Sequence, residues 1–293
     1  MKEANEGIYE YGVKSTECVD FDKEGMTVID GLIYAETEDG VLRMDVIYDG
    51  QAGEKKPAIV WVHGGAWFLP GVTRKSRPEK RFLELAKKGY LLASIDYRYA
   101  QIRPFPCQLE DCKCAVRFLR ANAEMLGIDP ERIGFWGESC GGQAAGLMSI
   151  TEGQQPYEDK GGYAGVSSEI KAAVAWYGAL DYKAFHEDRK AESPDYMDAY
   201  EVIYGGTEGE TKEVFEWTNP INHIEKKHCP ILSMSSDADP SIPYQANIEF
   251  CERAGDYGNI AKNIVIHGQG HGYLTGEDVD KAVYEFFDEY LKA

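Results

Sequence analysis

One stretch restricts the fold more than any other: Arg132-Ile-Gly-Phe-Trp-Gly-Glu-Ser-Cys-Gly-Gly-Gln-Ala-Ala-Gly-Leu-Met148. A β-prone run, Ile133 to Trp136, enters Gly137-Glu-Ser-Cys-Gly141, and small, helix-permissive residues follow. G-x-S-x-G between a strand and a helix demands a sharp reversal that holds the serine in a strained conformation above the sheet edge. Side chains at 137 and 141 would collide with the neighbouring strand and helix, so residues without a Cβ are favoured there. The pentapeptide alone also fits a bland glycine-rich turn. The rest of the chain has to decide between the two.

The remaining elements supply the frame. Met26 to Tyr34 and Val41 to Tyr48 are β-prone and flank Glu38-Asp39-Gly40, a hairpin signal. Ala58 to Val62 and Leu91 to Ile95 are continuous apolar runs, as strands covered on both faces require. A helix is expected from Ser76-Arg-Pro-Glu79, with Ser76 as its cap. A longer one carries Leu109, Cys112, Val116 and Leu119 on one stripe, with Glu110, Asp111, Lys113 and Arg117 between them, and ends at Gly127. Further strands are expected at Lys171–Tyr177, Ile231–Ser235 and Asn263–His267. Helices are expected at Gln245–Ala254 and after a Thr275 cap. Strands alternating with helices imply right-handed crossovers and a largely parallel sheet, the α/β class. The 293 residues read as one domain. Residues 180–216, acidic and aromatic without clean periodicity, read as an insertion outside the sheet.

A formal net charge of −19 disfavours nucleic acid and anionic membranes as partners and suits neutral or cationic small molecules. No apolar run reaches the roughly 18 residues needed to span a bilayer. The N-terminus lacks the order of a signal peptide. Seven cysteines without Cys-x-x-Cys or zinc spacing read as buried thiols in a reducing compartment, with no metal site. Cytoplasmic location is the resulting expectation. The sequence does not disclose oligomeric state, and a homo-oligomer stays open.

Chemistry enters through the loops at the strand ends. An elbow serine needs a base, and the base needs a carboxylate to orient it. Among six histidines, His271 in Gly268-Gln-Gly-His-Gly272 follows the last strand and could reach Ser139. His267 comes earlier and is expected to pack. In Ser236-Asp-Ala-Asp-Pro-Ser-Ile-Pro243, Asp239 is favoured as the carboxylate, with Asp237 the competitor as a turn-forming residue. The tetrahedral oxyanion needs N–H donors, expected from Cys140 and from Gly65 and Ala66 of His63-Gly-Gly-Ala-Trp67. Gly64 would shape that turn and, with Trp67, contact substrate.

Taken with Asp96-Tyr-Arg98, Phe105-Pro-Cys-Gln-Leu-Glu-Asp111 and Gly127-Ile-Asp-Pro-Glu-Arg-Ile133, these motifs resemble the α/β-hydrolase superfamily. Within it they resemble carboxylesterases similar to hormone-sensitive lipase and to bacterial acetyl-xylan and feruloyl esterases. The resemblance covers roughly Tyr34 to the C-terminus. It implies a mostly parallel sheet of about eight strands flanked by helices, with a cap insertion. It also implies a cofactor-free serine hydrolase that works on short acyl or aryl esters through an acyl-enzyme. The chain departs from the pattern at Ala66, where a third glycine is usual, at Cys140, usually alanine, and at Ser235-Ser236, usually His-Gly. The His-Gly-Gly-x-Trp form also resembles arylformamidases, which leaves an amide substrate open, and a silent binding module is the remaining alternative. Tyr182, Phe185, Tyr196, Tyr200 and Tyr204 of the insertion are expected to roof the substrate pocket.

Overall fold

The alternation of apolar residues along the strands sorts the interior into two layers. In β3 (Lys56–Val62), Ala58, Val60 and Val62 join one core cluster, while Ile59 and Trp61 join the other. A computed structural model describes residues 18–50, 55–151, 153, 157–193, 195–225 and 227–292. The reading of the N-terminus as leaderless falls on residues 1–17, outside these. The hairpin is β1 (Met26–Thr37) and β2 (Gly40–Asp49), antiparallel as expected. β2 pairs antiparallel with β4 (Leu91–Ile95), and β4 lies parallel to β3. β5 (Ile128–Glu138), β6 (Ala172–Trp176), β7 (Ile231–Ser236) and β8 (Ala261–Ile266) continue the parallel part. The eight strands run β1-β2-β4-β3-β5-β6-β7-β8. The carboxyl ends of β3, β5, β7 and β8 therefore open on one edge, where α/β sheets collect ligands.

Helices cover both faces. α1 (Glu79–Lys87) begins at Pro78 with no side-chain cap. Ser76, expected to cap it, turns away: its Oγ accepts from Thr73 N–H at 3.3 Å and its carbonyl from Trp61 Nε1 at 2.9 Å. α2 (Cys107–Ala121) stops short of Gly127. Asn122 returns its amide to the Phe118 carbonyl, and a four-residue α3 (Ala123–Leu126) follows before Gly127 closes it at φ 67°. α4 (Cys140–Ile150) follows the elbow directly. The insertion forms three helices between β6 and β7: α5 (Tyr182–Glu192), α6 (Tyr196–Tyr204) and α7 (Glu208–Trp217), then a 3-10 turn over Pro220–His223. α8 (Tyr244–Asp256) precedes β8, and α9 (Glu277–Leu291) starts at Gly276, not on a Thr275 side chain. Among the described residues, no helix is long and apolar enough to cross a membrane.

The polar face of α2 is not a solvent face. Asp111, Lys113 and Arg117 are fully buried. Arg98 grips Asp111 through two guanidinium nitrogens, Nε at 3.2 Å and Nη2 at 2.7 Å from Oδ1. The 157–171 segment lies over the rest. Glu158 meets Lys113 at 2.9 Å and Arg117 at 3.4 Å, and Lys113 also donates to Thr151 and Ser168. Removing one partner of a buried ion pair strands a charge in low dielectric, typically costing about 3–5 kcal/mol. Glu158→Ala should therefore destabilise the fold by roughly 3 kcal/mol, read as a lower urea midpoint at unchanged slope.

Candidate active site

β5 delivers Ser139 into the turn at φ 53°, ψ −119°, a conformation that only a tightly determined site maintains. Two backbone bonds hold it: Ser139 N–H donates to the Trp176 carbonyl at 2.9 Å, and the Ser139 carbonyl accepts from Gln143 N–H at 3.0 Å. A Cβ on Gly137 would lie 2.1 Å from the Gly141 carbonyl oxygen, and one on Gly141 would lie 2.3 Å from that of Val62. The crowding expected of the motif is present on both sides.

The loop after β8 brings His271 to the serine. Its Nε2 lies 3.0 Å from Ser139 Oγ, and its Nδ1 lies 2.8 Å from Asp239 Oδ2. A carboxylate on Nδ1 requires the proton there, which leaves Nε2 to accept from the serine hydroxyl. The Asp239 side chain is buried, and its other oxygen accepts from Ser241 N–H at 2.7 Å and Ile242 N–H at 3.1 Å. Asp237 stands apart. It accepts from Gly268 N–H at 2.8 Å and pairs with His267 at 2.7 Å. His267, expected to pack, is 85% exposed, because β8 ends at Ile266 and its ring leaves the sheet.

The His63–Trp67 loop turns through three successive positive φ angles: Gly65 at 104°, Ala66 at 51° and Trp67 at 68°. Only glycine suits the first, where a Cβ would also press on Val72 at 3.2 Å. Gly64 is the anchor. Its N–H donates to Glu138 Oε1 at 3.2 Å, and its carbonyl accepts from Tyr97 hydroxyl at 2.9 Å and His63 Nδ1–H at 2.7 Å. Burial pushes the His63 imidazole down to about 4, so it stays neutral, stacked on Tyr97 at 4.4 Å.

A cavity of about 180 Å³ opens beside Ser139. Ala66, Trp67, Phe68, Cys140, Gln143, Ala179 and Ile242 form its wall on the frame side; Tyr182, Phe185, Tyr196, Ala199 and Ile203 form the other from the insertion. Gly64, expected to contact substrate, does not line it, since both its backbone groups are already engaged beneath. Tyr200 and Tyr204, expected in the roof, pack behind it against Phe215. Glu138, Tyr177 and Gln143 escaped the sequence reading. Glu138 was in view as the variable residue of the motif. Gln143 carries no local signal, yet its amide accepts from Trp67 Nε1 and donates to the Thr218 carbonyl. Among the described residues, no cluster of His, Cys, Asp and Glu could hold a metal ion.

The Cys140 thiol packs against Tyr97 hydroxyl at 3.6 Å and the His63 carbonyl at 3.9 Å. Burial pushes it up to about 12, so it carries almost no thiolate at neutral pH. Iodoacetamide at pH 8 should alkylate exposed Cys18 and leave Cys140 unmodified, as read by peptide mass spectrometry.

A family model described as BD-FAE matches residues 44–253. Esterase LipC of Mycobacterium tuberculosis is 28% identical over 223 residues, 74% of this chain and 53% of its own. A solved structure described as bifunctional GH43-CE from Bacteroides eggerthii aligns with a TM-score of 0.78 at 25% identity, covering 89% of this chain and 35% of that one. A truncated form of a carbohydrate esterase from gut microbiota aligns with a TM-score of 0.73 at 24% identity, covering 91% and 97%. At that identity the last comparison speaks for the fold alone. The chain spans about half the length of the curated relatives it matches. With 210 consecutive positions from β2 into α8 under one family model and the strand order described above, the chain belongs to the BD-FAE family and has the α/β-hydrolase fold.

Proposed function

We propose that the protein is a serine esterase for short acyl or aryl esters, working through an acyl-enzyme on a small-molecule substrate. The observation that carries this reading is the unbroken relay from Ser139 through His271 to Asp239. Ser139 Oγ attacks the carbonyl carbon as His271 Nε2 takes its proton, and Asp239 holds the resulting imidazolium. The oxyanion is met by the N–H groups of Gly65, Ala66 and Cys140. Collapse breaks the acyl–oxygen bond, and His271 returns the proton to the departing alcohol. Water, deprotonated by the same histidine, then attacks the acyl-enzyme and releases the acid and Ser139. The esterase name of LipC supports the same chemistry.

His271 must reach the leaving oxygen, so the alcohol belongs on its side of the serine. Ala66 and Cys140 line the cavity and His271 does not, which favours the cavity as the acyl pocket. Its aromatic wall suits an aryl or short aliphatic acid. The His-Gly-Gly-x-Trp loop keeps a formamide substrate as the second reading. A cytoplasmic setting is part of the proposal, supported by five buried cysteine thiols.

Ser139→Ala should abolish hydrolysis of p-nitrophenyl acetate while leaving the melting temperature nearly unchanged; turnover that survives the change would refute the assignment. Ala199→Phe should narrow the acyl pocket. Its kcat/KM for hydroxycinnamate esters should fall roughly tenfold or more relative to acetate, and a series of alcohols on one acyl group should show no comparable discrimination. N-formylkynurenine in the same panel distinguishes amide from ester cleavage.

A further inference from the structure

Glu138, between the elbow glycine and the serine, takes no part in the proton relay, yet it touches both halves of the site. It is 4% exposed. Its Oε1 accepts from Gly64 N–H at 3.2 Å, pinning the chain immediately before Gly65 and Ala66. Its Oε2 accepts from the Tyr177 hydroxyl. The Tyr177 ring stands edge-on to the His271 imidazole, with centroids 4.9 Å apart at 71°. Tyr177 itself is held at φ 33°, its N–H donating to the Met234 carbonyl at 2.7 Å. A bulky residue keeps such a backbone only where its surroundings over-determine it.

We propose that Glu138 is a positioning residue whose carboxylate sets the Gly65–Ala66 loop and, through Tyr177, the His271 ring, so that its ionisation becomes a second proton-linked step in activity. The proposal rests on the esterase reading above and goes beyond the triad. The groups facing Glu138 are Tyr177, Tyr273, Cys140 and His271, with Asp239 behind the last. Burial pushes both phenols well above their ordinary range and the thiol up to about 12. That leaves Glu138 itself to change charge near neutrality. Burial pushes the Glu138 carboxyl up to about 7, against the opposing bonds from Tyr177 and Gly64. An ionised acceptor makes a hydrogen bond roughly twice as strong as a neutral one. Protonating Glu138 therefore slackens both contacts, and activity rises with pH as this group ionises.

The test is the pH profile of kcat/KM for phenyl acetate in the wild type, Glu138→Gln and Tyr177→Phe, with fluorophosphonate labelling of Ser139 alongside. The wild-type acid limb should be steeper than one proton allows. Glu138→Gln should return it to a single proton and lower kcat roughly ten- to hundredfold, the size of one charge-assisted hydrogen bond, with KM little changed. Tyr177→Phe removes a donor to the ionised form, so the limb should move to higher pH. If Glu138→Gln does not fold, that displacement decides alone. A Glu138→Gln limb of wild-type slope, or a Tyr177→Phe limb that does not move, overturns the proposal while labelled Ser139 preserves the esterase reading. A wild type that fails to label overturns both.

Discussion

Everything at the site depends on one close approach of backbone to backbone. α4 meets the sheet where Gly137, Gly141, Gly142 and Gly178 present no side chain. A Cβ on Gly142 would sit 2.6 Å from the Trp176 carbonyl oxygen, and one on Gly178 would sit 2.3 Å from the Gly142 carbonyl carbon. With those four positions bare, α4 starts directly at the end of β5, and the serine between them has no room for an ordinary conformation. Its strain is held by the Trp176 and Gln143 bonds, both of which need the same proximity. The geometry of Ser139 is thus a consequence of helix–sheet distance, not of any side chain near it.

Once the serine is fixed, the other loops are brought to it by polar groups that the frame itself buries. The Asp96-Tyr-Arg98 tripeptide shows the pattern. Asp96 receives Arg74 through its N–H at 2.9 Å and its guanidinium at 2.8 Å; Tyr97 braces Gly64; Arg98 crosses to Asp111 on α2. Asp45, fully buried on β2, accepts from Arg74 and Arg77 and from Gly31 N–H. In a chain of charge −19, these arginines are largely withdrawn from solvent, and each pair ties a loop to an element. The acid turn and the histidine loop are joined in the same way: Gln269 N–H donates to Ser236 Oγ at 3.1 Å, and Asp237 takes Gly268 N–H. The Ser236 that replaces the usual glycine is therefore a tie between the two loops carrying Asp239 and His271.

The legible parts of the sequence were those that local sterics dictate. A glycine that must admit a carbonyl, an apolar run covered on both faces and a proline-bounded acidic turn each carry their reason within a few residues, and Ser139 and Asp239 lie in such segments. What the sequence left out has two causes, one local and one distant. Ser76 and Thr275 match a capping pattern, but the Thr73 N–H, three residues back, took the first side chain and Gly276 took the position of the second. Lys113 and Arg117 stand between the apolar positions of α2 with no local sign of the burial that the distant Glu158 accompanies. Glu138 looks interchangeable within its motif until Gly64 and Tyr177, far away in sequence, are placed on its two oxygens. Long-range partners leave no mark at the position they satisfy.

The insertion makes the same point about substrate. Its helices were signposted locally, α5 by Asp181, which accepts from Lys183 and Ala184 N–H, and α7 by the Thr207–Glu210 capping box. Aromatic content hid them by blurring the helical period. That content has its own purpose: His186 sits among Tyr196, Tyr200 and Phe215 at 5.0 to 5.3 Å between ring centroids, and its nitrogens join Tyr196 on α6 to Glu208 on α7. The insertion thus packs largely on itself and lends only one wall to the cavity. Residues there can change without disturbing the relay, whose members all stand on the frame. On the esterase reading proposed above, such a division separates the chemistry from the choice of substrate: the first is bound to backbone geometry, and the second to side chains such as Ala199 and Ile203 that line the cavity beside the aromatic cluster.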